Sequence, residues 1–94
     1  MSMDDIVIYA KHYCPYCARA KSLLRNKGVE FKEIEVAFAP DLQAENIARS
    51  GRRTVPQIFI DGHHIGGYDD LAALNRSGQL DLILSGRSEA AFAA

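Results

Sequence analysis

Residues 6–17 read Ile6-Val7-Ile8-Tyr9-Ala10-Lys11-His12-Tyr13-Cys14-Pro15-Tyr16-Cys17, and this stretch decides the fold. Ile6 to Tyr9 is an unbroken apolar run rich in β-branched residues, the pattern of a strand covered on both faces. Pro15 suits the first position of a helix, where its absent N–H costs nothing, and Gly28 is a natural stop. Between them Cys17, Ala20 and Leu24 fall on one stripe, with Leu23 beside it. A cysteine pair thus stands where a buried strand hands over to a helix.

Outward from this unit, Phe31 to Val36 alternates Ile34 and Val36 against Glu33 and Glu35, the period of a half-buried strand. Pro40 and Asp41 open a second, weaker helix through Ile47 that ends near Gly51. Gln57 to Ile60, then Asp61-Gly62, then His63 to Ile65 reads as a hairpin, because Asp-Gly supplies the positive φ angles of a tight turn. Gly66-Gly67 follows, and Asp69 or Asp70 is the expected cap of a third helix through Leu71 and Leu74 toward Gly78. Leu80 to Leu84 is read as a last apolar turn. The order β-α-β-α-β-β-α implies a parallel strand pair with a right-handed helical crossover, extended by an antiparallel hairpin. The expectation is an α/β domain over residues 1–84, a four-stranded mixed sheet flanked by helices, with a loosely ordered tail over 85–94.

The chain has 94 residues, 48% of them apolar, enough for one small core and no second domain. Eleven Lys and Arg against 12 Asp and Glu give a net charge of -1, which offers no argument for a nucleic-acid partner. Locally the balance differs: between Ile6 and Val29 the charged residues are Lys11, Arg19, Lys21, Arg25 and Lys27, a basic field around the cysteines. Met1-Ser2-Met3-Asp4-Asp5 lacks the pattern of a secretory signal and no apolar run approaches a membrane span. A cytoplasmic monomer with no membrane partner is therefore expected.

In a reducing compartment, cysteines three apart point to redox chemistry or to a metal. They make a poor structural staple, since so short a loop restricts the unfolded chain little. The metal reading lacks ligands: His12, His63 and His64 have no paired spacing, and neighbouring histidines on a strand point to opposite faces. No metal site is expected, and the histidines are read as surface residues. Cys14, just ahead of a helix, meets the orphan N–H groups and positive dipole end that favour thiolate over thiol, so it is the expected nucleophile. Cys17 lies one turn inside on the same face and takes the resolving role.

Cys14-Pro15-Tyr16-Cys17 directly after a strand resembles the active site of the dithiol glutaredoxins, within the thioredoxin-like superfamily. Thr54-Val55-Pro56 resembles the segment that carries that family's cis-proline, Gly66-Gly67 with Asp69-Asp70 resembles its glutathione-binding turn, and Lys11 precedes the nucleophile at the family's spacing. The match spans roughly Ile6 to Leu84. It implies a glutathione-dependent thiol-disulfide oxidoreductase that reduces protein disulfides and glutathione mixed disulfides through Cys14 and Cys17, serving electron transfer and redox homeostasis. Glutathione is then a co-substrate, with no tightly bound cofactor, and the partners are disulfide-containing or glutathionylated proteins.

Carried over residue by residue, the resemblance implies a glutathione site at Lys11, Tyr16, Arg53, Thr54, Val55, Pro56, Gly67, Tyr68, Asp69 and Asp70. Lys11 and Arg53, with Arg52 as a weaker alternative, are the candidates for the glycyl carboxylate. The N–H groups of Asp69 and Asp70 suit the other carboxylate, and an aspartate side chain suits the ammonium. Tyr68 stands where many relatives have a third cysteine. The alternative implied by the same resemblance is a glutathione-ligated [2Fe–2S] carrier, disfavoured by Pro15 and by the competing Cys17.

Overall fold

A computed structural model of the chain describes residues 6–86. The strands are β1 (Ile6–Ala10), β2 (Lys32–Glu35), β3 (Gln57–Ile60) and β4 (His63–Gly66); the helices are α1 (Pro15–Asn26), α2 (Pro40–Ser50), α3 (Tyr68–Ser77) and α4 (Gln79–Gly86). One sheet runs β2-β1-β3-β4. β1 is parallel to β2 and antiparallel to β3, and β3 and β4 form the antiparallel hairpin. The mixed sheet expected from the sequence is present.

Side chains alternate across a strand, so the apolar run of β1 supplies both faces. Ile6, Ile8 and Ala10 join Ile58 and Ile60 under Cys17, Ala20 and Leu24 of α1, Leu71 of α3, and Leu80 and Ile83 of α4. Val7, Tyr9, Phe59 and Val36 form a smaller cluster. Each fully buried aliphatic side chain of the larger cluster contributes about 1.5–3 kcal/mol. Hence α1 is clamped against β1, which fixes where the loop between them projects. The only buried residue of α2 is polar, Asn46, so that helix adds little apolar area.

Several expectations are corrected. Leu80 to Leu84 is not a turn at the end of the third helix: Gly78, at φ 83° in the left-handed region, ends α3 and a separate helix follows. That helix runs to Gly86, past the domain limit expected at 84, while the tail beyond it falls on residues 87–94, outside the described residues. β2 is shorter than Phe31 to Val36, though the Val36 N–H still donates to the Ala10 carbonyl at 2.9 Å. The cap of α3 is Gly67 rather than Asp69 or Asp70, because Asp70 sits three residues inside and reaches back. The Asp61-Gly62 turn does have both φ angles positive, 51° and 82°.

Candidate active site

The β1–α1 loop places Cys14 as the N-cap of α1, with Pro15 at the first helical position. Its Sγ accepts the Cys17 N–H at 3.2 Å, one of the orphan donors at a helix start. The thiol lies 3.9 Å from the Val55 carbonyl, and the Val55–Pro56 peptide is cis. Cys14 is half-buried and Cys17 wholly buried, and both are free thiols. Burial, followed by the hydrogen bond with Cys14, pushes the Cys17 thiol up to about 12. One sulfur is reachable and capped by a helix start; the other is protonated and enclosed.

The basic field around the cysteines is weaker than the sequence suggests. Lys21 pairs with Glu33 at 2.9 Å and Lys27 with Asp81 at 2.8 Å. The Arg19 guanidinium lies over the Tyr16 ring and that of Arg25 over Phe31. Lys11 is half-buried, and its carbonyl accepts the Cys14 N–H at 3.2 Å.

Beside Cys14 opens a cleft of about 230 Å³. Tyr16, Thr54, Val55 and Pro56 line one part of it, and Gly67, Tyr68, Asp69 and Asp70 another. The Tyr16 and Tyr68 rings stand 6.2 Å apart. Eight residues expected at a peptide site from sequence thus meet in one place. Lys11 and Arg53 are not among those lining it; Arg52 is, together with Gln57. Neighbouring arginines cannot be told apart by composition, and only the path of the α2–β3 loop turns Arg52 toward the cleft. Gln57 opens a buried strand, and its only sequence signal was a polar residue in an otherwise apolar run.

Asp70 braces this cleft. Its Oδ2 accepts the Gly67 N–H at 2.9 Å and a hydrogen bond from Arg52 Nη1 at 3.1 Å. The Gly67 N–H first, and Arg52 second, hold its carboxyl below the ordinary aspartate value. A Cβ at Gly66, whose φ is 121°, would run into the Asp70 carboxylate. The glycine at 66 therefore makes room for Asp70 rather than for a ligand. No partner of the Asp69 side chain is found among the described residues, so its carboxylate is the one open to a ligand.

Residues 6–65 match the family model for glutaredoxin. The chain belongs to the glutaredoxin family. It is 53% identical over 83 residues to a glutaredoxin of Pseudomonas aeruginosa, covering 88% of this chain and 99% of that one. To glutaredoxin 3 of Escherichia coli it is 55% identical over 82 residues, 87% of this chain and 99% of the relative. Among solved structures, a buckwheat glutaredoxin–glutathione complex superposes with a TM-score of 0.80 at 38% identity, covering 87% of this chain and 77% of that one. A glutaredoxin from Brucella melitensis gives 0.76 at 56% identity, covering 89% and 91%. With this family membership the chain is a thiol-disulfide oxidoreductase of thioredoxin-like fold.

Proposed function

We propose that this glutaredoxin is a glutathione-dependent reductase of glutathionylated proteins and protein disulfides, acting as a cytosolic monomer with Cys14 as nucleophile and Cys17 as resolving thiol. The observation that carries the reading is the pairing of a reachable, helix-capped Cys14 with a cleft that offers Arg52, an exposed Asp69 carboxylate and the N-terminus of α3. Those groups are chemically complementary to a zwitterionic tripeptide with two carboxylates and one ammonium. The buckwheat relative is described as a glutathione complex, which supports the same ligand class here.

In the proposed cycle the Cys14 thiolate attacks the glutathione sulfur of a mixed disulfide. The old S–S bond breaks, the protein thiolate leaves and takes a proton, and Cys14 is left joined to glutathione. A second glutathione thiolate attacks that glutathione sulfur, which frees Cys14 and yields glutathione disulfide. With a protein disulfide, Cys14 instead becomes joined to the protein, and Cys17 attacks the Cys14 sulfur to expel it. Two glutathiones then reduce the Cys14–Cys17 bond.

A coupled assay tests the reading. Turnover of a glutathionylated peptide is expected with glutathione and glutathione reductase, and not with a flavoprotein reductase of thioredoxins in their place. The reverse preference overturns the proposal. Brown colour and visible absorption after anaerobic purification would point instead to the cluster-carrying alternative.

A further inference from the structure

The strand behind the cleft holds a chain of side-chain hydrogen bonds that neither the fold nor the thiol chemistry uses. His64, on the outer strand β4, stands against Gln57 with its Nε2 2.7 Å from Oε1. Gln57 Nε2 in turn donates to Thr54 Oγ1 at 3.1 Å, and both Gln57 and Thr54 line the cleft. Gln57 is 1% exposed, so its amide has no water to turn toward and each of its bonds counts. The His64 ring also packs against the Phe59 ring, centroids 5.0 Å apart and planes tilted by 32°, which restricts the imidazole. His64 is exposed, as the sequence suggests, yet it is not an idle surface histidine.

The polarity of this chain follows from the donor and acceptor inventory. With the Gln57 amide oxygen toward His64, as the 2.7 Å contact has it, the acceptor-only oxygen pairs with a ring that carries its proton on Nε2. That leaves the Gln57 NH₂ facing Thr54, whose oxygen accepts it. The Thr54 hydroxyl hydrogen is then not needed by Gln57 and is available to the cleft. Partial burial, then the Arg52 cation, hold His64 below the ordinary histidine value against the opposing pull of Asp70, which favours the neutral ring.

We propose that His64 is a positioning residue of the cleft: acting through Gln57, it holds the Thr54 hydroxyl as a hydrogen-bond donor toward an acceptor oxygen of the bound thiol peptide. The inference rests on the reading of the cleft as a glutathione site. Without the His64 bond the Gln57 amide is free to turn over, its oxygen can take the Thr54 proton, and the donor into the cleft is lost.

The test uses steady-state kinetics on the full chain with varied glutathionylated peptide at fixed glutathione. His64→Phe keeps a ring against Phe59 but has no donor, and it should raise KM for the glutathionylated peptide about 5-fold while changing kcat less than 2-fold, the size of one ligand hydrogen bond. His64→Gln, which places an amide N–H near the Nε2 position, should bring KM back toward the wild-type value. In a Thr54→Val background His64→Phe should have no further effect on KM, and ring-nitrogen NMR should find the His64 proton on Nε2. Equal KM values for His64→Phe and His64→Gln, the same factor persisting in Thr54→Val, or a proton on Nδ1 would each overturn the inference. Absence of glutathione-dependent turnover in the wild-type chain is the separate outcome that sinks the proposed function.

Discussion

Arg52 Nη1 lies 3.1 Å from Asp70 Oδ2, so an ion pair already joins the α2–β3 loop to the start of α3 across the cleft. Both side chains are about half exposed, at 49% and 47%, so the pair adds little to stability. Its consequence is placement: it keeps a guanidinium at the cleft, whereas Arg53 next door does not line it. Arg52→Ala should raise KM for a glutathionylated peptide several-fold and lower Tm by no more than a few degrees, and Arg53→Ala should do less to KM. Titration of the two variants with the glutathionylated peptide checks this; a larger penalty for Arg53→Ala would return the carboxylate contact to the residue favoured by sequence.

Asp70 accepts the Gly67 N–H at 2.9 Å, and its charge at a helix N-terminus adds to that bond. Asp70→Asn should cost about 1 kcal/mol at pH 7. Since the folded carboxyl is held below its unfolded value, its contribution is present above the unfolded value near 4 and is lost as pH falls through the lower folded one. Urea midpoints of wild type and Asp70→Asn should therefore differ at pH 7 and converge as the solution is taken below about pH 4. A gap that stays constant down to pH 2 would contradict the assignment.

The Cys17 thiol, pushed up to about 12 by burial, carries the opposite sign. In the unfolded chain it releases its proton near 8.5, so between about 9 and 12 the unfolded state binds fewer protons than the folded state and stability falls as pH rises. Tyr9, raised by burial and by its hydrogen bond to Glu45, acts in the same direction. The reduced chain should lose stability above pH 9 more steeply than Cys17→Ala. At pH 7 iodoacetamide should modify Cys14 and leave Cys17 intact, read by peptide mass spectrometry.

Cys14 and Cys17 should fail differently. Cys14→Ser should abolish every activity, because a serine hydroxyl does not ionise at neutral pH to replace a thiolate. Cys17→Ser should retain deglutathionylation within a few-fold and lose most reduction of protein disulfides that rely on internal resolution. Assaying both variants on a glutathionylated peptide and on a protein disulfide separates the roles; survival of deglutathionylation in Cys14→Ser reverses them.

Local pattern made much of this molecule legible. The apolar run Ile6–Tyr9 can be buried only between two layers, Pro15 starts a helix wherever the chain allows one, and Asp61-Gly62 turns a hairpin by its own φ preferences. Cys14 at a helix start and Cys17 one turn on the same face follow from helix periodicity alone. These features depend on residues close in sequence, so no tertiary information was needed to place Cys14 at the start of α1.

What lies across the cleft was decided by packing. Asp70 reads as a cap from sequence, but the Gly66–Gly67 backbone brings its carboxylate back under Gly67 and out to Arg52, 18 residues away in the chain. Arg52 and Arg53 are identical side chains, and the loop's path alone separates them. His64, Gln57 and Thr54 belong to a β-hairpin partner strand, a buried strand start and a loop, and only the register of β3 against β4 aligns their polar atoms. The sequence by itself determined the strand–helix unit and the place of the Cys14 sulfur at its junction, because those rest on local backbone chemistry. The tertiary structure decided which charges and hydroxyls line the cleft beside that sulfur, because those depend on distances between segments that local propensities do not encode.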